Sequence, residues 1–222
     1  MKTQVITLVQ HKGGVGKTTT VQTIGSSMDK DGAKVVFVDT DKRWALYRWA
    51  MKDANEFSVA KIEDDEKLMP SIQKLKSQDY DAVIIDTAGY KSATAIYAIG
   101  AADLVLIPVM PDENSALDAV RTYNHVNSVA MNMGKEIQVY ALMVNVNSHA
   151  NITEEIRNAL IFKKIPLLDT MVESVTGFRE MQSLGTGPVK TTAVRETKKL
   201  MGELQRKGLL WYYTEEGRWA TS

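Results

Sequence analysis

The stretch His11-Lys12-Gly13-Gly14-Val15-Gly16-Lys17-Thr18-Thr19-Thr20 follows the apolar, β-prone run Val5-Ile6-Thr7-Leu8-Val9 and leads into a helix-like segment from Thr18 to Met28. A strand that turns through glycines into a helix N-terminus restricts the fold more than any other part of this chain. The N–H groups of such a loop point inward and the helix dipole adds positive potential, so the loop is built to hold a phosphate. Gly13, Gly14 and Gly16 let the backbone curl without Cβ clashes. Lys17 is spaced to reach the β- and γ-phosphates of a nucleotide, and the Thr18 hydroxyl to ligate Mg²⁺.

The common spacing of such a loop, G-x-x-x-x-G-K-[ST], calls for glycine where this sequence has His11, and here an extra lysine, Lys12, stands at the mouth. The resulting pattern, K-G-G-x-G-K-T-T, resembles the deviant Walker A motif of the ParA/MinD ATPases. The chain is similar to a small ParA partition ATPase from residue 3 to about residue 190, most closely in blocks 9–20, 35–41 and 81–89. Weaker echoes lie at Ala102–Val109, Asn145 and Phe178-Arg179-Glu180. The resemblance implies ATP and Mg²⁺ as cofactors, held by Lys12, Gly13, Gly14, Val15, Gly16, Lys17, Thr18 and Thr19. It also implies that Lys12 crosses a homodimer interface to the partner's nucleotide.

Two acidic blocks fit this reading. Val35-Val36-Phe37-Val38-Asp39-Thr40-Asp41 places two carboxylates on the same side of the chain just past a strand, where they can support Mg²⁺ and orient a water. The resemblance makes Asp41 the residue that polarises the attacking water and Asp39 a support for the metal or its water shell. The family commonly continues with Pro-Gln, whereas this chain has Lys42-Arg43. The next residues, Trp44 to Trp49, read as a short helix with a partly buried aromatic face. In the third block, Ala82-Val83-Ile84-Ile85-Asp86 is an apolar strand ending in aspartate, the Walker B pattern, with Asp86 on Mg²⁺ through water. Gly89 would let the following loop approach the γ-phosphate.

Apolar runs at 4–9, 34–38, 82–86, 104–109 and 138–144 alternate with helix-length segments, and a further strand is expected near 167–172. The expected fold class is α/β: a mainly parallel twisted sheet with helices on both faces, in a single P-loop NTPase domain over residues 1–222. Residues 191–222 form its C-terminal helix and tail. With 222 residues, 44 % hydrophobic, the chain can build a full core. Zero cysteines exclude disulfides and thiolate metal or Fe–S sites. His11, His125 and His149 show no metal-ligand spacing. The first apolar run is too short for a signal peptide, and no run approaches a membrane span, so a cytoplasmic protein is expected; the resemblance implies that it associates with the nucleoid.

Asn145, after the run Val139–Val144, matches the family position that reads adenine, and an amide offers the base edge both a donor and an acceptor. Asn147 can take the same role. Phe178-Arg179-Glu180 reads as structural, at the sheet edge or the dimer face. The net charge is zero, so contact with DNA requires a local patch. Lys163, Lys164, Lys190, Arg195, Lys198, Lys199, Arg206 and Lys207 supply the candidates, with Arg195, Lys198 and Lys199 on one turn of a helix expected over 191–207. The resemblance implies ATP-dependent dimerisation, non-specific DNA binding and hydrolysis stimulated by a ParB-like centromere-binding adaptor. No helix-turn-helix is expected ahead of the loop. Three alternatives stand beside this reading: a MinD-like membrane-cycling ATPase, a ParA-like positioner of a protein cargo, and a nucleotide-gated scaffold. The first is opposed by Glu215, Glu216 and Gly217 in the tail, and the last by the intact Asp41.

Overall fold

Strands that are apolar throughout must be covered on both faces, and parallel pairing with helical crossovers achieves this. A computed structural model of the protein describes residues 2–52, 57–89 and 92–211. The strands are β1 (Gln4–Leu8), β2 (Val35–Asp39), β3 (Ser58–Lys61), β4 (Ala82–Asp86), β5 (Leu104–Val109), β6 (Gln138–Val146) and β7 (Val172–Glu173). They form one sheet in the order β3-β2-β4-β1-β5-β6-β7, and every pairing among them is parallel. The helices are α1 (Lys17–Lys30), α2 (Ala45–Ala50), α3 (Asp65–Lys76), α4 (Ala93–Ala101), α5 (Glu113–Asn132), α6 (Asn151–Phe162), α7 (Thr176–Leu184) and α8 (Thr191–Arg206).

Alternate residues of each strand point to opposite faces and meet different helices. Ile6, Leu8, Phe37, Ile84 and Leu106 pack under α1, α2 and α8. On the other face Val5, Val36, Val38, Val83 and Ile85 lie under α3 and α4. Val105, Ile107, Val109, Ala141 and Met143 lie under α5 and α6. The starts of α3, α4 and α5 are fixed by Asp64, Ser92 and Asp112, whose side chains accept backbone N–H groups of the first turn.

The structure differs from the expected strands in three places. β3 was not anticipated: its Ser-Val-Ala-Lys sequence carries no apolar run, because it is an edge strand and only partly buried. The strand expected near 167–172 shrinks to a single bridge, Ala141 to Leu167, plus the two-residue β7. β6 continues past Val144 to Val146, so Asn145 lies inside a strand rather than after one. The helix expected over 191–207 forms as α8.

The chain closes on itself at the far end from the glycine loop. The buried amide of Gln4 donates to the Leu209 carbonyl at 2.8 Å and accepts from Trp211 N–H at 3.0 Å, tying the segment after α8 to the central strand. The tail residues 212–222 lie outside the described residues, and with them Glu215, Glu216 and Gly217. Among the described residues no helix is long and apolar enough to cross a membrane.

One glycine of α1 is required by packing rather than by backbone conformation. A Cβ on Gly25 would fall 2.2 Å from Phe37 Cε1 and 3.1 Å from Ile84 Cδ1. Neither neighbour can yield, since both side chains are fully buried. Gly25→Ala is therefore expected to destabilise the fold by about 1–3 kcal/mol, despite alanine's better helix propensity. Urea unfolding followed by circular dichroism measures it, and an unchanged midpoint would show that α1 lifts from the sheet at no cost.

Candidate functional site

Parallel sheets gather functional residues at the carboxyl ends of their strands. Here the loops after β1, β2, β4 and β5 and the end of β6 meet there. The glycine loop between β1 and α1 has left-handed backbone at Gly14 (φ 73°) and Gly16 (φ 95°), which explains glycine at those two positions. Gly13 has no such conformation, and a Cβ there would meet nothing within 4 Å. Gly16 occupies the N-cap of α1 with no side chain to cap it, leaving the helix's first N–H groups available to an anion.

Lys17 is buried inside this loop, its ammonium donating to the carbonyls of Gln10 (3.2 Å) and Lys12 (3.4 Å). Burial lowers its pKa, against the pull of the nearby Asp86 and Asp41 carboxylates. The Thr18 hydroxyl donates to Asp86 Oδ2 at 2.6 Å. Asp86 is buried at the end of β4, and its other oxygen, Oδ1, has no hydrogen-bond partner among the described residues. Burial pushes the Asp86 carboxyl up to about 7, in spite of the Thr18 hydrogen bond. A desolvated carboxylate with one oxygen unsatisfied is the observation that fits a cation at this point. Among the described residues no group of three His, Cys, Asp or Glu side chains is arranged to hold a metal. Mg²⁺ takes only one or two protein oxygens and fills its octahedron with phosphate and water, and the Thr18–Asp86 pair has donors of that kind.

Asp39, expected to support the metal or its water shell, lies at the end of β2 beside Asp86 at the end of β4. It is buried, and its two oxygens accept from Asp41 N–H (3.0 Å) and Tyr47 N–H (2.9 Å). It thereby fastens the loop after β2 and the start of α2, and burial raises its pKa. Asp41 is half-buried and lines a polar cleft of about 840 Å³ together with Gly13, Lys17, Thr18, Lys42 and Arg43. Lys12 lies at the loop mouth with its ammonium on both oxygens of Asp112, at 2.9 and 2.8 Å. Gly89 lies 3.8 Å, as measured from a built Cβ, from the His11 carbonyl.

A second cavity of about 260 Å³ opens on the other side of the glycine loop. Val15, Met110, Val144, Val175 and Phe178 give it apolar walls, and Asn145 and Arg179 bring polar groups. Asn145 is left-handed (φ 55°) at an irregularity in the β6–β7 pairing, a conformation that asparagine tolerates better than other non-glycine residues. Its exposed side chain reaches this cavity, whereas Asn147 is not among the lining residues and uses its oxygen to accept His149 N–H. The two cavities share Gly14, Gly16, Thr19 and Gln182, and Gln182 Nε2 donates to Thr19 Oγ1 at 2.6 Å where they meet. Two cavities joined over a glycine loop, one lined by charged side chains and the other walled in part by apolar ones, have a form that suits a nucleotide.

Sequence reasoning missed three residues here. Gln182 carries no local signal, since only the fold of α7 against α1 brings it to the loop. Buried Gln10 accepts from His11 N–H and Thr122 and donates to the carbonyls of Pro108 and Ser115, bracing the loop on α5. Asp112 accepts Ser115 N–H at the start of α5 and also holds the Lys12 ammonium, a pairing across 100 residues that no local pattern announces. The Phe178-Arg179 pair lines the second cavity rather than serving only the sheet edge.

The basic residues proposed for DNA are only partly free to meet it. Arg195 and Lys199 both pair with Glu196, whose carboxylate is buried, and Arg195 also reaches Glu173. Lys207 pairs with Asp169 and Glu203, and Lys190 with Glu180. Lys198 instead lines a groove of about 460 Å³ between α1 and α8, with Lys30.

Comparison with known proteins agrees with this architecture. The family model described as VirC1 protein matches residues 3–207. The virC1 protein of Rhizobium radiobacter is 23 % identical over 188 residues, covering 82 % of this chain and 81 % of that protein. The ParA protein of the same organism is 33 % identical over 117 residues, 52 % of this chain and 51 % of its own. Among solved structures, an ATP complex of Cyanothece McdA superposes with a TM-score of 0.78 at 18 % identity, covering 93 % of this chain and 97 % of that one. MinD from Pyrococcus horikoshii, solved with Mg-ADP, gives a TM-score of 0.70 at 19 % identity over 93 % and 98 % of the two chains. The sheet order, the glycine loop and the sequence match together make this chain a member of the VirC1 protein family, built on the fold of the ParA/MinD-type ATPases.

Proposed function

We propose that this protein is a Mg²⁺-dependent ATPase that dimerises on ATP, binds DNA without sequence preference and drives DNA partition. The observation that carries the nucleotide reading is the buried, half-satisfied Asp86 carboxylate, hydrogen-bonded to Thr18 at the mouth of a loop that holds Lys17. The McdA structure was solved with ATP and the MinD structure with Mg-ADP, which supports the same pair of ligands here. Thr18 and Asp86 would hold the Mg²⁺, which when bound supplies positive charge to the β- and γ-phosphate oxygens.

The chain's own residues supply the rest. The N–H groups of Gly13, Gly14, Val15, Gly16, Thr18 and Thr19 cradle the phosphates, and Lys17 turns from the Gln10 and Lys12 carbonyls to the phosphate oxygens. The adenine enters the pocket beside Asn145. Asp41 orients a water whose oxygen forms a bond to the γ-phosphorus as the bond from that phosphorus to the bridging oxygen breaks. ADP departs with the bridging oxygen, and both protons of the water leave with the inorganic phosphate as H₂PO₄⁻. In the monomer Lys12 is held by Asp112; in the dimer it exchanges that carboxylate for the partner's phosphates. ATP drives dimerisation only through such contacts, which ADP lacks. The dimer then presents a cationic surface to nucleoid DNA, and a ParB-like adaptor stimulates hydrolysis and release.

Three outcomes follow from this cycle. Lys17→Ala should abolish nucleotide binding, whereas Lys12→Ala should bind nucleotide as a monomer and fail to form the ATP dimer. Fluorescent-nucleotide titration with sedimentation separates the two, and an ATP dimer in the Lys12 variant would remove its role across the interface. Asp41→Ala should slow phosphate release by at least tenfold while the ATP-bound dimer and its DNA complex persist. Turnover near the wild-type rate would assign the water to another group. DNA affinity should require ATP and fall steeply with salt. Replacing Lys30 and Lys198 by glutamine should flatten the log–log salt slope by about 0.9 for each DNA phosphate that the variant no longer neutralises. Equal slopes would move the DNA surface elsewhere.

A further inference from the structure

The turn that follows β2 contains a strained residue that the cycle above does not use. Asp41, Lys42, Arg43 and Trp44 form a tight turn closed by Trp44 N–H donating to the Asp41 carbonyl at 2.8 Å. The Asp41 carboxylate accepts from Arg43 N–H at 2.9 Å, a second lock within the same turn. Trp44 leaves the turn in the left-handed region, φ 51° and ψ 38°, which a bulky side chain adopts only when its surroundings impose it. Those surroundings are visible. Asp39 fixes the turn from beneath, and the Lys61 ammonium sits over the rings of Tyr47 (4.0 Å) and Trp44 (5.3 Å). The Arg48 guanidinium donates to the Arg43 carbonyl.

This bracing has one visible consequence: it holds Arg43 at the apex of the turn, on the wall of the same cleft that contains Lys17, Thr18 and Asp41. The Arg43 side chain is exposed, so packing does not account for it, and its charge is felt at the buried Lys17 ammonium. Its neighbour Lys42 is occupied by Glu63 at 3.2 Å, while Arg48 is turned back onto the loop itself. Lys42 and Arg48 line the same cleft, but each has such a partner, whereas Arg43 makes no ion pair among the described residues and lies two residues from the Asp41 carboxylate.

We propose that Arg43 is a further catalytic residue, an arginine supplied by the same chain that meets the γ-phosphate oxygens and neutralises the charge developing there. The inference rests on the nucleotide site of the preceding section. Phosphoryl transfer needs positive charge near the equatorial oxygens and little covalent help, and a planar guanidinium with several donors suits that task. The guanidinium stays protonated throughout, so the proton balance of hydrolysis is unchanged. Placing the arginine in the Asp41 turn couples charge stabilisation to water orientation, because the same hydrogen bonds fix both residues.

The test compares wild type with Arg43→Gln and Arg43→Lys, using phosphate release and titration with fluorescent analogues of ATP and ADP. Arg43→Gln should retain ADP affinity within about twofold, lose most of any preference for ATP over ADP, and hydrolyse at least tenfold more slowly; an arginine in this role is worth about 10³ or more. Arg43→Lys should recover part of the rate. If Arg43→Gln keeps both its rate and its ATP preference within twofold, the proposal is overturned. So it is if only DNA binding is lost. Should wild type itself release no phosphate, the ATPase reading fails, and the ATP-over-ADP comparison still decides whether Arg43 meets the γ-phosphate.

Discussion

The carboxylate of Asp86 and the ammonium of Lys17 are both withdrawn from water at the same end of the sheet; Lys17 is met by two carbonyls, whereas one oxygen of Asp86 has no hydrogen-bond partner among the described residues. A buried charge is expensive unless it is paired, hydrogen-bonded or met by a ligand, and the open Asp86 Oδ1 leaves part of that cost unmet by the protein. Much of the molecule serves this arrangement. β4 and β1 run parallel in register, Leu8 beside Asp86, so the strand that ends in the carboxylate delivers it next to the loop that begins at Val9. Thr87 donates to the Leu8 carbonyl and Thr40 to the Asp86 carbonyl, stitching the three strand ends together. Thr18, the first free hydroxyl of α1, closes the set on Asp86.

Around this centre, α2 and α7 act as a bracket between the turn after β2 and the cavity that Asn145 lines. Trp49 of α2 stacks on Phe57, meets Phe37 edge-on, and donates its ring N–H to the carbonyls of Met181 and Thr186 at 3.2 Å each. Lys52 donates to the carbonyls of Gln182 and Ser183, meeting the unsatisfied C-terminal end of α7 with positive charge. From α7, Gln182 returns to Thr19 in the first turn of α1, just past the glycine loop. The turn after β2 is thus linked to the Asn145 cavity through the side chains of Trp49, Lys52 and Gln182. Gly185, left-handed at φ 75°, ends α7 where Lys52 passes over it, and a Cβ there would lie 2.5 Å from that lysine's own Cβ.

α8 shows how context changes the meaning of a charge. Its sequence carries Arg195, Lys198 and Lys199 on one turn, which on an isolated helix would form a cationic face. In the fold, Glu196 and Glu203 are buried beneath them and accept backbone N–H groups from the segment 169–173: Glu203 from Asp169 and Thr170, Glu196 from Glu173. The carboxylates attach the β7 segment to α8, and Arg195, Lys199 and Lys207 neutralise them. Removing one of those cations would leave a buried carboxylate short of a partner, so its effect would extend beyond the surface.

The strand–loop–helix at the N-terminus, the aspartate at the end of β4, the parallel sheet and the helix of residues 191–206 were all legible in the sequence. Each depends on local chemistry: glycine where φ is positive, unbroken apolar runs for strands covered on both faces, and a hydrophobic period for α8. The edge strand β3 was not legible, because an edge needs no apolar run and Ser58 to Lys61 has none. Asn145 could be picked out as an amide near the end of a strand, but not as a left-handed residue within one, since that follows from how β6 meets β7. Only the tertiary structure decided that Asp39 holds a turn, that Lys12 rests on Asp112, and that Gln182 joins the two cavities. Those contacts span from two to more than a hundred residues and turn on which backbone donor or carboxylate the fold presents. Side-chain type and spacing identify a residue able to bind; what already occupies its lone pairs and protons is settled by packing.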